Sequence, residues 1–554
     1  MKKEITCKLS KNSKASMVRC SYRTVALTIA VLLVAAGGIG LLYAKAAQKD
    51  EAQLVPMGTT KGEQYNRLRI RNCMMVTGRG MPAEGPIDII VERGRITDIV
   101  RTPSGSSTAA SSKPPKAEHV IDATGMYVMP ALVDMHGQFA RESAPRRMGE
   151  RALEYQYRLW LGHGVTTLRE PGTGGEAQLK LMVEQNRLGM ENKIVAPRMV
   201  LYKSWPGVEY GNDESYTPSG IARLVRRFKG MGASGIKVIS KPAWYPDVLA
   251  AICAETRKLD MRVVIDMKVS EINAIIAANA GVSTIEHFFG IPDAAWPGSQ
   301  DFRYDYNNSE DARFRDAALT WAIADKYPDK VIEVLELMIK KGVAWDPTMV
   351  VYETHRDFSR AQTLPWRERY AHPLLLDSWV QRPGNSYIHQ MEWTTADETN
   401  WYKHYQIWQK YIYEFFKRGG KLTVGTDPGA MQNLYGFAVI RELELLQQAG
   451  LTPLDVIRAA TTNATSVLGL KDMSGIRVGN IADLIVVDGN PLKNFKVMYG
   501  LGYDKYNPDG TKEHRGGVRW TIKAGIVYDA PALLREVEWY VNQAKEGLTT
   551  SSNQ

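Results

Sequence analysis

Residues 127–138, YVMPALVDMHGQ, begin as an apolar run and end on two polar side chains, His136 and Gln138. Residues i and i+2 of a strand face the same side, so these two side chains point together. Seven more short apolar runs follow, at 165–170, 198–202, 235–240, 262–267, 282–287, 344–350 and 421–427. Helix-like stretches separate several of them, at 147–162, 218–231, 246–258 and 270–280. Repeated strand–helix units predict a parallel sheet. Eight of them predict an α/β fold of the TIM (β/α)8 barrel type with insertions, over residues 127–468.

Both flanks read differently. Residues 66–126 contain alternating strand patterns such as IDIIVERGRITDIV, interrupted by a Ser/Pro-rich loop, TPSGSSTAASSKPPK, at 102–116. Strand patterns return over 469–530 in IADLIVVDG and VRWTIKAGIVYDA, after a helical stretch at 453–468. These flanks predict a β-domain split across the two ends of the barrel. A C-terminal amphipathic helix follows from the spacing of Leu533, Leu534, Val537, Tyr540, Val541 and Ala544. The two longest connections, after the sixth and seventh runs, carry Trp296, Trp321, Trp366, Trp379, Trp393, Trp401 and Trp408, and Trp345 lies in the seventh run. Loops at the C-terminal rim of such a barrel form its active site, so these rings suggest a pocket lid. The alternative is that the insertions are helical and pack their aromatics on the barrel.

The charge is concentrated at one end. The 554 residues carry +10, and seven Lys and Arg against Glu4 place +6 of it in the first 23 residues. A basic leader, and no basic run elsewhere, argues against nucleic-acid binding. Residues 24–44 hold no charged side chain and are long enough for one transmembrane helix. Positive charge before that run keeps the N-terminus inside, which predicts a single-pass protein with its body extracytoplasmic, joined by a linker at 45–65. Ala44-Lys45-Ala46 also resembles a signal-peptidase site, and cleavage there would release the body as a secreted protein. Four Cys exclude a disulfide scaffold, and Cys73 and Cys253 read as isolated buried thiols.

Polar residues recur where the apolar runs end: His136 and Gln138, Asp266, His287 and Asp427, with Lys237 inside the fourth run. A lysine within an apolar strand is costly unless modified or paired. Such a set is what a metal centre at a barrel mouth requires. His163 reads as a helix cap carrying favourable positive charge, Arg169-Glu170 as a structural ion pair with substrate contact as the alternative, and His355, His372, His389 and His404 as structural, with the alternative that one of them supplies a further ligand. Thr348 and Tyr352 are candidates to line the pocket.

Several motifs resemble the amidohydrolase superfamily, in particular its imidazolonepropionase-like and prolidase-like members. They are VIDATGMYVMPALVDMHGQ, GVTTLRE, GIKVIS, AGVSTIEH, VGTDPG and, most specifically, TTNATSVLGLKDMSGIRVGNIADLIVVDGNPL at 461–492. The resemblance implies a barrel flanked by a split β-sandwich. It also implies a binuclear centre built from a His-x-His pair, a carboxylated Lys, two further His and an Asp. His136, Lys237, His287 and Asp427 match that pattern, whereas Gln138 and Asp266 stand where histidines are expected. The substitutions shift the donors from imidazole toward oxygen, from Zn toward Mn or Mg. They leave open one ion, two, or none. The implied reaction is hydrolysis of a non-peptide or dipeptide-type amide C–N bond of a small molecule, with Asp427 and Lys237 in catalytic positions. The competing reading is a degenerate member acting as a binding protein. Homo-oligomerisation is left open.

Overall fold

The computed structural model describes residues 56–101, 116–139, 148–149, 151–206, 215–240, 245–268, 272–296, 310–380 and 393–551. The basic leader, the apolar run 24–44 and nearly all of the 102–116 loop lie outside the described residues. Among the described residues no helix is long and apolar enough to cross a membrane.

Seven strands run parallel in chain order: β1 (Leu132–Asp134), β2 (Val165–Thr173), β3 (Arg198–Ser204), β4 (Gly235–Ser240), β5 (Arg262–Met267), β6 (Thr284–Glu286) and β7 (Ala344–Asp346). Their residues are almost all buried, as expected of strands covered on both faces. Helices such as Pro218–Gly230 make the crossovers. That helix starts where the Thr217 side chain accepts the Gly220 N–H and Pro218 takes the first turn. It buries Ile221, Leu224, Val225 and Phe228, one stripe at helical spacing. Each such side chain contributes about 1.5–3 kcal/mol of burial.

The sheet curls, and both of its edges hydrogen-bond residues 421–427. Met135 N–H donates to the Val424 carbonyl at 2.8 Å and Asp427 N–H to the His136 carbonyl at 2.9 Å. On the other edge Trp345 N–H donates to Lys421 and Thr423 N–H to Trp345, both at 3.0 Å. The eighth sequence run therefore takes its place as a single parallel bridge, Leu422 opposite Trp345, and not as a regular strand. Gly425 is required there, because a Cβ would overlap the Asp346 carboxylate and come within 2.8 Å of His136 Cβ.

Two other runs end differently from their sequence reading. The first divides at Pro130, which has no N–H to give a ladder. Residues 127–130 join the flanking sheet, antiparallel to 484–487, and β1 starts at Leu132. The seventh stops at Asp346, and Met349–Arg356 is helical. The flanks meet as expected: strands 67–75, 84–92, 95–101, 119–122 and 127–130 from one end join 484–487, 518–523 and 526–529 from the other in one hydrogen-bonded sheet. This sheet has its own core, including Ile70, Cys73, Ile89, Val486 and Ile522. Sheet and barrel form one compact unit over Leu54–Gln554. Cys73 and Cys253 are both buried free thiols.

Of the two readings of the aromatic insertions, the structure supports helices that pack their rings on the barrel. Trp321, Trp345, Trp401 and Trp408 are fully buried, and Trp366 and Trp379 nearly so. The insertions are helices, among them Glu310–Ala324 and Thr395–Lys417. On the latter Trp401, Tyr405, Trp408, Ile412 and Phe415 recur every three or four residues and face the core.

Candidate metal centre

Three side chains meet at the C-terminal ends of the strands. His136 follows β1, His287 follows β6, and Asp427 ends the 421–427 segment. Each brings one ligand atom to within 4.8 Å of the others. The His136 and His287 rings lie 5.0 Å apart, and Asp427 Oδ1 is 3.6 Å from His136 Nε2. Both histidines are buried, whereas the Asp427 side chain keeps 21% of its exposure.

Each imidazole is held by its other nitrogen. His136 Nδ1 is 2.6 Å from Glu286 Oε2, and His287 Nδ1 is 2.5 Å from Thr348 Oγ1. Glu286 accepts the Nδ1 proton of His136. The Thr348 hydroxyl donates to the Pro347 carbonyl, so it accepts from His287 Nδ1. Nε2 of each ring is then the acceptor nitrogen, the usual way a carboxylate or hydroxyl orients a metal-binding histidine. On His136 the Gln138 amide and the Lys237 ammonium stand within donating distance of it, at 3.1 and 3.3 Å. His287, Thr348 and Asp427 all have positive φ, at 61°, 50° and 45°. Non-glycine residues in this region carry about 1–3 kcal/mol of strain each and concentrate at functional sites.

A buried ionic cluster supports this layer. Register aligns Asp266, Glu286 and Asp346 side by side on β5, β6 and β7. Arg169 of β2 donates to Glu286 at 2.6 and 2.7 Å, to Asp346 at 3.3 Å, and to the Met135 carbonyl. Arg169, Glu286 and Asp346 are fully buried. Burial pushes the Glu286 and Asp346 carboxyls above the usual range, and Arg169 opposes that rise. His136, Glu286 and Asp346 could themselves gather around a cation, but the Arg169 guanidinium already serves as that cation. The expected Arg169–Glu170 ion pair is therefore corrected. Glu170 instead accepts the backbone N–H groups of Phe139 and Gly172. Asp134 joins the two ligand-bearing segments: it accepts from His136 N–H and Thr426 N–H, both at 3.1 Å, and from the Thr426 hydroxyl at 2.6 Å. Burial raises its carboxyl to about 6.

The other three sequence candidates lie beside this triad. Lys237 Nζ is 3.3 Å from His136 Nε2 and 3.8 Å from Asp266 Oδ2. Gln138 Nε2 is 3.1 Å from His136 Nε2, and Asp266 Oδ1 is 3.9 Å from His287 Nε2. Gln138 and Lys237 line a cavity of about 210 Å³ together with Glu170, Gln178 and Ser204.

Residues 412–525 match the model of the amidohydrolase family. Solved structures extend the likeness over the whole body. A Xaa-Pro dipeptidase with bound methionine is 18% identical, with 84% of this chain and 100% of that chain covered and a TM-score of 0.55. Bottromycin amidohydrolase is 18% identical over 87% and 91%, with a TM-score of 0.58. Ochratoxinase from A. niger is 16% identical over 84% and 96%, with a TM-score of 0.53. The chain has the amidohydrolase fold. No curated protein sequence matches it.

Within this amidohydrolase fold, two imidazoles with Nδ1 committed, together with a carboxylate, form a donor set whose chemistry would suit a divalent ion. The remaining histidines stand apart from it. His163 does cap its helix, but through Nδ1 to the Leu159 carbonyl at 2.8 Å. Burial pushes its pKa down to about 4, so the expected favourable positive charge is corrected to a neutral hydrogen bond. His372 caps helix 373–378, and His355 and His404 lie among aromatic rings. His389 lies outside the described residues. Tyr352 packs edge-on against His287, with centroids 5.4 Å apart. The sequence reading missed Asp134, Glu286 and Asp346. For Asp134 and Glu286 the signal was present in VDMH and TIEH, where an acidic residue inside an apolar run precedes a ligand by two positions or one; Asp346 shows only as a carboxylate ending the seventh run.

Proposed function

We propose that this chain is a metal-dependent hydrolase of small-molecule amides, cleaving non-peptide or dipeptide-type C–N bonds. The convergence of His136, His287 and Asp427 carries this reading, because the three come from distant parts of the chain and share a single centre. These three residues would hold the ion. When bound, a divalent ion supplies Lewis acidity that polarises a scissile carbonyl and makes water nucleophilic near neutral pH.

The chain's own residues account for the rest. Asp427 is the triad's partly exposed member, so its carboxylate can accept a proton from attacking water and return it to the leaving nitrogen. Glu286 and Thr348 keep the two imidazoles oriented through the cycle. The cavity beside Gln138 and Lys237 accommodates the acyl or amine portion of a small substrate. Its polar lining of Glu170, Gln178 and Ser204 fits a substrate with hydrogen-bonding groups.

The deciding experiment is metal analysis of protein purified without chelator, with hydrolysis assayed on cyclic amides, N-acyl amino acids and proline dipeptides. Bound metal and Asp427-dependent hydrolysis support the proposal; protein without metal and without hydrolysis refutes it. That second outcome favours a binding protein, a reading motivated by the amine of Lys237 and the amide of Gln138, both close to His136 Nε2. Export and anchoring through residues 24–44 are part of the proposal and rest on the charge pattern. Protease treatment of intact cells tests them: an anchored extracytoplasmic body is digested, and a protected body refutes export.

A further inference from the structure

The turn that begins at Asp427 is strained and is held from a distant part of the chain. Over residues 427–433 the backbone has positive φ at Asp427, Gly429, Met431 and Gln432. Non-glycine residues keep such conformations only where their surroundings over-determine them. Asn433 supplies part of that constraint from within. Its side-chain amide donates to the Thr426 carbonyl at 2.5 Å, its carbonyl accepts from Gly429 N–H, and its own N–H donates to the Ala430 carbonyl, both at 2.8 Å.

The rest comes from the insertion that follows β7. Trp379 reaches the turn twice. Its indole N–H donates to the Gly429 carbonyl, and its carbonyl accepts from the Gln432 side-chain amide, both at 3.0 Å. Arg367 donates to the Gln432 amide oxygen and lies over the Trp379 ring, 5.6 Å from the centroid. Both ends of the Gln432 amide are engaged, so its two partners fix which way it points: oxygen to the guanidinium, NH2 to the carbonyl. Trp379 and Gln432 are buried, and water does not compete for these bonds. The insertion is itself anchored. Trp366 stacks on Phe437 and on Tyr499, with centroids 5.0 and 4.7 Å away. The Tyr155 hydroxyl donates to the Tyr370 carbonyl at 2.7 Å, and Arg369 donates to Glu538 at 2.6 Å.

Resting on the metal-dependent reading above, we propose that Arg367, Trp379 and Gln432 are positioning residues for Asp427. They act through the turn, fixing where its carboxylate stands relative to His136 and His287. Misplacing a reacting group by about 1 Å costs about 100-fold in rate, so a clasp of this kind sets turnover from a separate segment of the chain.

Two variants test it in the full-length chain. Gln432→Met keeps the side-chain length and removes both amide bonds. Trp379→Phe keeps a ring and removes only the indole N–H; it decides the matter if Gln432→Met fails to fold. Each is assayed on the substrate that wild type hydrolyses fastest in the panel above, for zinc affinity by competition with a chelator, and for hydrogen exchange over 425–433. The expected result is a fall in kcat of about 10–100-fold with KM changed by less than about threefold. Zinc affinity should fall about 10-fold or more, and the 425–433 amides should exchange faster. Arg369→Gln breaks a different contact of the same insertion and should keep wild-type kcat, zinc affinity and exchange. Folded Gln432 and Trp379 variants with wild-type values would overturn the proposal while leaving a metal-dependent hydrolase intact. An equal loss in Arg369→Gln would also overturn it, because the effect would then belong to the insertion's general stability. Wild type that neither binds zinc nor hydrolyses an amide would overturn the metal-dependent reading and this proposal with it.

Discussion

Replacing Arg169 with Met removes the cation that joins β2 to β6 and β7. Arg169 is fully buried and donates to two carboxylates and a backbone carbonyl. Methionine fills much of the same volume, so the loss is electrostatic more than steric. Removing one partner of a buried ion pair costs about 3–5 kcal/mol, because the other charge stays buried and uncompensated. An unpaired Met135 carbonyl adds about 1–3 kcal/mol, although the two costs overlap. Against a total stability of about 5–15 kcal/mol, the expected loss of at least about 3 kcal/mol is a large part. Urea unfolding, followed by tryptophan fluorescence and circular dichroism, measures it. The double variant Arg169→Met/Glu286→Gln should be less damaged than the two single losses summed, by about 0.5–3 kcal/mol, because it removes both charges of the contact. Glu286→Gln alone should weaken metal binding about 10–100-fold by loosening the His136 ring, read by competition with a chelator. A loss below about 1 kcal/mol in Arg169→Met, or strictly additive single losses, would refute the view that this cluster holds the layer beneath the centre.

Asp427→Asn should keep the fold but lose hydrolysis by about 100-fold or more, since an amide cannot carry the proton; unchanged turnover would exclude Asp427 from that role. Gly425→Ala should destabilise by about 1–3 kcal/mol and lower metal content, because the new methyl group displaces Asp346 or His136. Wild-type melting and metal content in that variant would contradict the close approach. Lys523 donates to the carbonyls of Gly189 at 2.8 Å and Ala196 at 2.5 Å, tying the flanking sheet to the barrel. Burial, aided by Arg198 and opposed by Asp483, lowers its pKa to about 7. From there up to the ordinary lysine value the unfolded chain binds a proton that the folded chain does not, so stability rises with pH, by at most about 1.4 kcal/mol per unit. Lys523→Met should flatten the rise in the urea midpoint between pH 7 and 9. An equal rise in both proteins would refute the assignment.

Most of the architecture was legible in local pattern. Short apolar runs separated by amphipathic stretches identified β2 to β7 and the crossover helices, because burial on one or both faces imposes a periodicity that a sequence displays directly. The misplaced boundaries share one cause. At Pro130, Asp346 and 421–427 the hydrophobic pattern continues, but the backbone changes partner, and hydrogen-bond partners leave no trace in hydropathy. The tryptophans left two readings open for a related reason: a ring-rich insertion has the same composition whether it covers a pocket or packs inside a helical layer.

At the centre, the residue types His136, Lys237, His287 and Asp427 stood out because polar groups at the ends of apolar strands are expensive. Their partners did not. Arg169 looks paired with its neighbour Glu170 in the sequence, yet successive strand residues point to opposite faces, and its carboxylates come from β6 and β7. Which nitrogen of each imidazole is engaged, and whether Asp266 serves an ion or a lysine, depends on separations of a few ångströms between residues more than a hundred positions apart in some cases. Chemistry confined to one segment can be read along the chain; chemistry shared between segments exists only once folding has brought them into contact.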